Sequence, residues 1–378
     1  MLLLLLCFAS AFATPCAAIT TIGRGATAAG ATSGGASAPS LEAMVGQMLL
    51  VGFRGTEAAA DSAIVRQVRA GMVGGVILFD RDVITGSRER NIVSPDQLAR
   101  LSAGLQRVAP VRLFIAVDQE GGRVQRLKPA HGFGEYPSAR ALGGSGLPIA
   151  TAQTDRLVLE LARAGINLNF APVVDVDVFA ASPAIGKLER SFSADPLKVA
   201  AFAQAVGDVH VRHGVVPCLK HFPGHGSARG DSHLGVTDVS ATWHERELVP
   251  YQRLLKGWQG AVMVGHLFNT HFDKDHPATL SHATITGLLR NRLGWQGVVI
   301  SDDLQMKAIT SHYGLEETML RAVLAGNDIL LFGNNLEWDP DLTDHAHATL
   351  VRLVREGRIP EARIREAWKR IMVLKATL

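Results

Sequence analysis

Gly214-Val215-Val216-Pro217-Cys218-Leu219 runs straight into Lys220-His221-Phe222-Pro223-Gly224-His225-Gly226 and on to Asp231-Ser232-His233. The first six residues are apolar without alternation, the pattern of a strand covered on both faces in a parallel sheet. Pro223 removes a backbone donor, and Gly224, Gly226 and Gly230 let the chain turn and crowd a ligand, so no regular helix follows. The loop begins where the strand ends, which is where α/β proteins place their chemistry. Asp231 and His233 stand two residues apart, close enough for a hydrogen-bonded proton-transfer pair. His221 and His225 have the spacing of two zinc ligands on one helical face, but Pro223-Gly224 between them denies that helix. A structural loop fits better than a metal site. Such a loop has no need, however, of a lysine, three histidines and an aspartate together.

Working outward, seven further apolar runs repeat the pattern, at 48–53, 75–79, 113–118, 167–172, 261–266, 297–302 and 328–332. Helical patterns with start signals lie between them. Ser94-Pro95 precedes a periodic stretch to Val108, and Asp195-Pro196 opens one that runs to Val211 and stops before Gly214. Strands separated by helices imply right-handed βαβ units and a parallel sheet. Eight such units fit a single α/β (β/α)8 TIM barrel over residues 41–378, with some irregularity allowed for in its first strands. A doubly wound open sheet is the alternative. No glycine-rich phosphate loop opens a helix after a strand, so a nucleotide cofactor is not indicated.

The bulk properties agree. The chain has 378 residues, 47% hydrophobic and 19% charged, with a net charge of +3 and no basic block. That balance suggests neither nucleic-acid nor membrane-surface binding. Residues 2–12 form an apolar run too short to span a bilayer, and Ala11-Phe12-Ala13 supplies a cleavage-like pattern. Residues 1–18 thus resemble a signal peptide, and an exported, periplasmic protein is expected. No Lys or Arg precedes the apolar run, so a mis-assigned start and a cytoplasmic protein is the rival reading. Residues 19–40, rich in Ala, Gly, Thr and Ser, read as a flexible tether. Cys16 sits in a poor lipoprotein context, and beyond it only Cys218 remains, so no internal disulfide is expected.

Polar residues at the ends of apolar strands carry the functional signal. Asp118 leads into Gln119-Glu120-Gly121-Gly122-Arg123-Val124-Gln125-Arg126; Asp175 and Asp177 follow another strand; Lys220-His221, His266 and Ser301-Asp302-Asp303 end three more. In a barrel these ends converge on one mouth. Asp302 and Asp303 are adjacent, so extended backbone turns them to opposite faces, with Asp302 the inward one. Asp303 is equally suited to capping a helix starting near Leu304. Arg126 and Arg190 could clamp ligand oxygens in bidentate fashion, although each taken singly fits a surface ion pair better.

These residues together resemble the family 3 glycoside hydrolases, and within them the single-domain β-N-acetylglucosaminidases. The resemblance runs from about Leu41 through the 117–126 segment, residues 167–175, Arg190-Ser191-Phe192, the Lys220 to Gly226 loop, Asp231-Ser232-His233, Ser301-Asp302-Asp303-Leu304 and the closing Gly357-Arg358-Ile359-Pro360. It implies that Asp302 is the nucleophile of a retaining glycosidase and that His233, paired with Asp231, is its acid/base. It further implies that Asp118, Arg126, Arg190, Lys220 and His221 hold the terminal sugar. The implied substrates are amino-sugar oligosaccharides: peptidoglycan-derived muropeptides first, chitin fragments second. No metal or organic cofactor is implied, nor a partner protein, and a monomer is expected.

Two departures from the family pattern stand out. The link Ile185-Gly186-Lys187-Leu188-Glu189-Arg190 is two residues longer, and segment 80–93, with Arg81, Arg88 and Arg90, is long enough to reshape the mouth. The rival readings are a β-glucosidase or N-acetylglucosamine phosphorylase on the same scaffold, a zinc hydrolase using His221, His225 and Asp302, and a non-catalytic sugar-binding protein.

Overall fold

In the computed structural model every one of the eight apolar runs is a strand: β1 (Leu49–Gly52), β2 (Gly75–Ile77), β3 (Phe114–Val117), β4 (Leu168–Asn169), β5 (Val216–Phe222), β6 (Ala261–Val264), β7 (Val299–Ser301) and β8 (Leu330–Phe332). All are parallel, in the order β8-β1-β2-β3-β4-β5-β6-β7. The ring closes through the Ile300–Ile329 bridge, with the Ser301 N–H donating to Ile329 O and the Ile329 N–H to Val299 O. This is the (β/α)8 barrel, and the open-sheet alternative falls with that closure. Strands β1 to β3 pair in continuous register; the register shift lies between Leu219 and Phe222, where β5 meets β6.

Each strand is buried along its length, because ring neighbours fill one face and helices cover the other. The helices start where their caps dictate. Ser94 accepts the Gln97 N–H ahead of Pro95–Val108, and Asp195 accepts the Leu197 N–H ahead of Pro196–Arg212. A second, two-stranded parallel sheet pairs Thr237–Asp238 with Leu267–Phe268 beside the mouth.

The structure describes residues 38–233 and 235–378, and Pro39–Leu378 forms one compact unit. The apolar run 2–12, the cleavage-like pattern, Cys16 and the tether up to residue 37 lie outside the described residues. Ser40 caps the first helix, Leu41–Gln47. Cys218 is buried and free, and no described helix is long and apolar enough to cross a membrane.

Candidate active site

The strand ends do converge. A cavity of about 430 Å³ opens at the C-terminal face of the barrel and is lined by Asp118, Arg126, Arg190, Lys220, His221, His233 and Asp302. Every residue the sequence singled out for sugar contact or catalysis lines it, except Asp231, which stands behind His233.

On the β3–β5 side the cavity wall is a charge lattice. The Lys220 ammonium sits 2.8 Å from Asp118 and 2.7 Å from Glu120. Arg190 grips Glu120 with two parallel bonds of 2.7 and 2.8 Å, and donates to Ala184 O and to His221 Nε2. His221 Nδ1 donates in turn to Asp175, at 2.7 Å, which fixes its tautomer and leaves Nε2 as the acceptor for Arg190. Burial pushes the Asp118 and Glu120 carboxyls up, but the cations around them outweigh it and hold both well below the usual carboxylate range. Lys220 is likewise kept charged, its own desolvation being overcome by Asp118 and Glu120.

Asp302 lies across the cavity, where β7 ends. Burial pushes its carboxyl up; His266, His221, His233 and the Asp303 N–H pull it down further, to about 2, so it is an anion at neutral pH. Opposite in character is Asp303, pushed up to about 6 by burial and by its neighbour's charge. Its Oδ1 accepts the N–H groups of Gln305 and Gly333, and Gly333 has no room for a side chain because an added Cβ would lie 2.4 Å from Asp303 Oδ2. The capping expectation for Asp303 is therefore corrected. Leu304 to Met306 form a turn, the next helix is Lys307–Thr310, and Asp303 ties that turn to the end of β8.

His233 comes from above. Its side chain is exposed, its Nδ1 donates to Asp231 Oδ1 at 2.9 Å, and Nε2 is left to face a ligand. The Asp231 bond and the Asp302 charge raise the imidazole above its ordinary value against desolvation, while the same bond pulls Asp231 down to about 2.

The profile of the glycosyl hydrolase family 3 N-terminal domain matches residues 40–374. The chain belongs to glycosyl hydrolase family 3. It is 36% identical over 345 residues to the β-hexosaminidase LpqI of Mycobacterium tuberculosis, a match covering 87% of this chain and 81% of that protein. A family 3 β-N-acetylglucosaminidase of Paenibacillus sp. str. FPU-7 superposes with a TM-score of 0.81 at 36% identity, over 90% of this chain and 63% of the Paenibacillus chain. A β-N-acetylhexosaminidase of Beutenbergia cavernae superposes with a TM-score of 0.80 at 28% identity, covering 90% of this chain and all of that one.

Several features of this family 3 hydrolase differ from what single residues suggested. Arg190 is no surface pair: its side chain is 11% exposed and its partner Glu120 only 5%. Arg126 leans into the cavity, 3.6 Å from Asp118, with its Nε unpartnered. Glu120 was not picked out, though it follows Asp118 by two residues and so returns to the same side. Asp175 was noticed only as a strand-end acid; it is fully buried behind His221 and holds that ring by its Nδ1–H. Asp177 turns away to Arg140, and His266 lies behind Asp302, with Nε2 donating to Asp303 O.

Segment 80–93 does shape the mouth. Asp82 pairs with Arg54 and Arg90 at 2.6 Å each, Asn335 binds the backbone of Arg81 and Val83, and Asp80 pairs with Lys128 at the rim. Among the described residues no three His, Cys, Asp or Glu side chains converge as metal ligands. His221 and His225 lie ring to ring at 5.6 Å, with one nitrogen of His221 already held by Asp175.

Proposed function

We propose that this family 3 hydrolase is an exo-acting, retaining β-N-acetylglucosaminidase that removes a terminal β-linked N-acetylglucosamine from peptidoglycan-derived or chitin fragments. The observation that carries the reading is one cavity shared by a half-buried Asp302, held anionic, and an exposed His233 oriented by Asp231. The names of its relatives as β-hexosaminidases support the sugar class.

In the first step an Asp302 oxygen bonds to C1 while the C1–O bond to the leaving group breaks, and His233 Nε2–H protonates the departing oxygen. Water then attacks C1; His233 takes its proton, the ester to Asp302 breaks, and the sugar leaves with its original configuration. An imidazole titrates close enough to neutrality to serve in both directions, and Asp231 stabilises the protonated form. The lattice of Asp118, Glu120, Arg126, Arg190 and Lys220 supplies a dense set of donors and acceptors for sugar hydroxyls. The acid is not a carboxyl, so the carboxylate-separation rule for stereochemistry does not apply.

The test is hydrolysis of an aryl β-N-acetylglucosaminide beside the matching glucoside, with and without phosphate, followed by trapping with a 2-fluoro sugar and mass spectrometry. Release of N-acetylglucosamine and a label on Asp302 are expected. A label elsewhere would refute the assigned roles, while faster turnover of the glucoside, or a sugar phosphate as product, would replace the substrate or the acceptor.

A further inference from the structure

We infer that Glu247, which lines no part of the sugar cavity, is a positioning residue whose carboxylate sets the loop carrying His233 at the height where it reaches the leaving group. The inference rests on His233 being the acid/base.

Glu247 lies in a 3-10 turn, Glu245–Leu248, and is fully buried. One oxygen caps that turn, accepting the His244 N–H at 3.3 Å. Capping needs no more than this. The second oxygen goes wholly to the loop, accepting the N–H groups of Gly226 at 2.9 Å and Ser227 at 3.3 Å. From the other side Asp175 accepts the His225 N–H at 2.8 Å. Three successive backbone donors, 225 to 227, are thus divided between two buried carboxylates.

The chain is shaped around this clamp. Gly224 has φ of +123°, and an added Cβ there would lie 2.6 Å from Glu247 Cβ. Gly226 lies against Val176 O, where an added Cβ would come within 1.7 Å. Beyond the root, among the described residues, the Ala308 N–H reaches Ser232 O at 3.3 Å and His225 Nε2 reaches Ser232 Oγ at 3.4 Å. The root is thus one of the anchors that place His233.

Glu247 makes no ion pair among the described residues, and Asp175 across the root adds repulsion. Burial accordingly pushes its carboxyl up to about 7. A buried carboxyl without a cation is costly to keep, and here its hydrogen bonds go to the loop root and the turn behind it.

The experiment compares Glu247→Gln, Glu247→Ala and, as reference, His233→Ala on two N-acetylglucosaminides. One has a methoxide leaving group, which needs protonation; the other has 2,4-dinitrophenolate, which does not. Sodium azide is the added nucleophile that needs no general base. For both Glu247 variants we expect kcat on the methyl glycoside to fall about tenfold or more, part of the 10²–10⁴ a general acid supplies. Cleavage of the dinitrophenyl substrate, read as kcat/KM, should stay within about twofold, and azide should raise its turnover and yield the β-glycosyl azide. Gln keeps the size of Glu but turns an NH2 toward one set of N–H donors, so it loosens the clamp without opening a cavity. The split is read within each variant, so lowered stability cannot mimic it. Equal losses on both substrates without azide rescue, or no loss on either, would overturn the positioning role. If His233→Ala itself shows neither split nor rescue, the acid/base assignment fails and this inference falls with it.

Discussion

Two buried lysines mark opposite ends of the barrel, and burial has opposite consequences for them. Lys220, at the mouth, sits between Asp118 and Glu120, and their charges hold its ammonium protonated despite desolvation. Lys375, beneath the N-terminal ends of the strands, donates among the described residues only to neutral groups, Gln47 Oε1 and Gly74 O at 2.7 Å each, over the ring of Phe114. Burial without a counter-charge pulls it down to about 7. The mouth keeps charge in place by pairing it, so that charge is available to a ligand. The base tolerates a lone polar end because a long aliphatic stem packs well there. The base holds paired charge as well, at Asp328 with Arg290, Arg363 and Arg370, so what separates the two lysines is the presence or absence of a counter-charge.

That contrast can be broken in four ways. Asp302→Asn should cut turnover by at least about a thousandfold while thermal unfolding stays put or rises, since isolated catalytic groups are seldom there for stability; a variant with wild-type turnover would remove the mouth's central charge from the chemistry. Lys220→Met should damage both properties. With the ammonium between them gone, Asp118 keeps only Arg126 at 3.6 Å and Glu120 only Arg190, and their mutual repulsion is no longer offset, a loss of up to about 3 kcal/mol in unfolding experiments, together with a steep fall in kcat/KM. Should Lys220→Met unfold like wild type, the lattice would not be the coupled unit described.

Asp231→Asn removes the partner that raises His233. The alkaline limb of kcat/KM reports loss of the acid's proton, so it should move to lower pH. A limb that stays fixed would uncouple the pair. The smallest effect belongs to Lys375→Met. Here the folded pKa lies below the unfolded one, so between about 7 and 10.5 the unfolded chain binds more protons and stability rises with pH. The variant should therefore melt a few degrees higher than wild type at pH 7 or below, with the gap narrowing towards pH 10 and kcat unchanged. A fall in kcat would mean that the base is not separate from the mouth.

The barrel was legible because each strand is an unbroken apolar run closed by a polar residue, a local pattern that parallel burial imposes. Asp302, Lys220 and His221 were legible for the same reason: they are the residues that interrupt it. What could not be read depends on pairing between distant segments. Glu120 matters because Arg190 lies 70 residues away in sequence yet grips it. Asp175 matters because His221 comes to rest on it. Glu247, in a stretch dense with charged and polar residues (His244-Glu245-Arg246-Glu247), looks like any solvated acid until the fold buries it under the loop root. Asp303 was misjudged by a purely local rule, helix capping, when its partner is Gly333 thirty residues on.

The small sheet beside the mouth holds the far foot of the loop. Directly after the loop, Thr237 pairs with Leu267, and the Val239 N–H closes onto Phe268 O. The arch bearing His233 is thus riveted at both feet, like the bail of a bucket. Under the proposed roles, a change at either foot therefore reaches the imidazole.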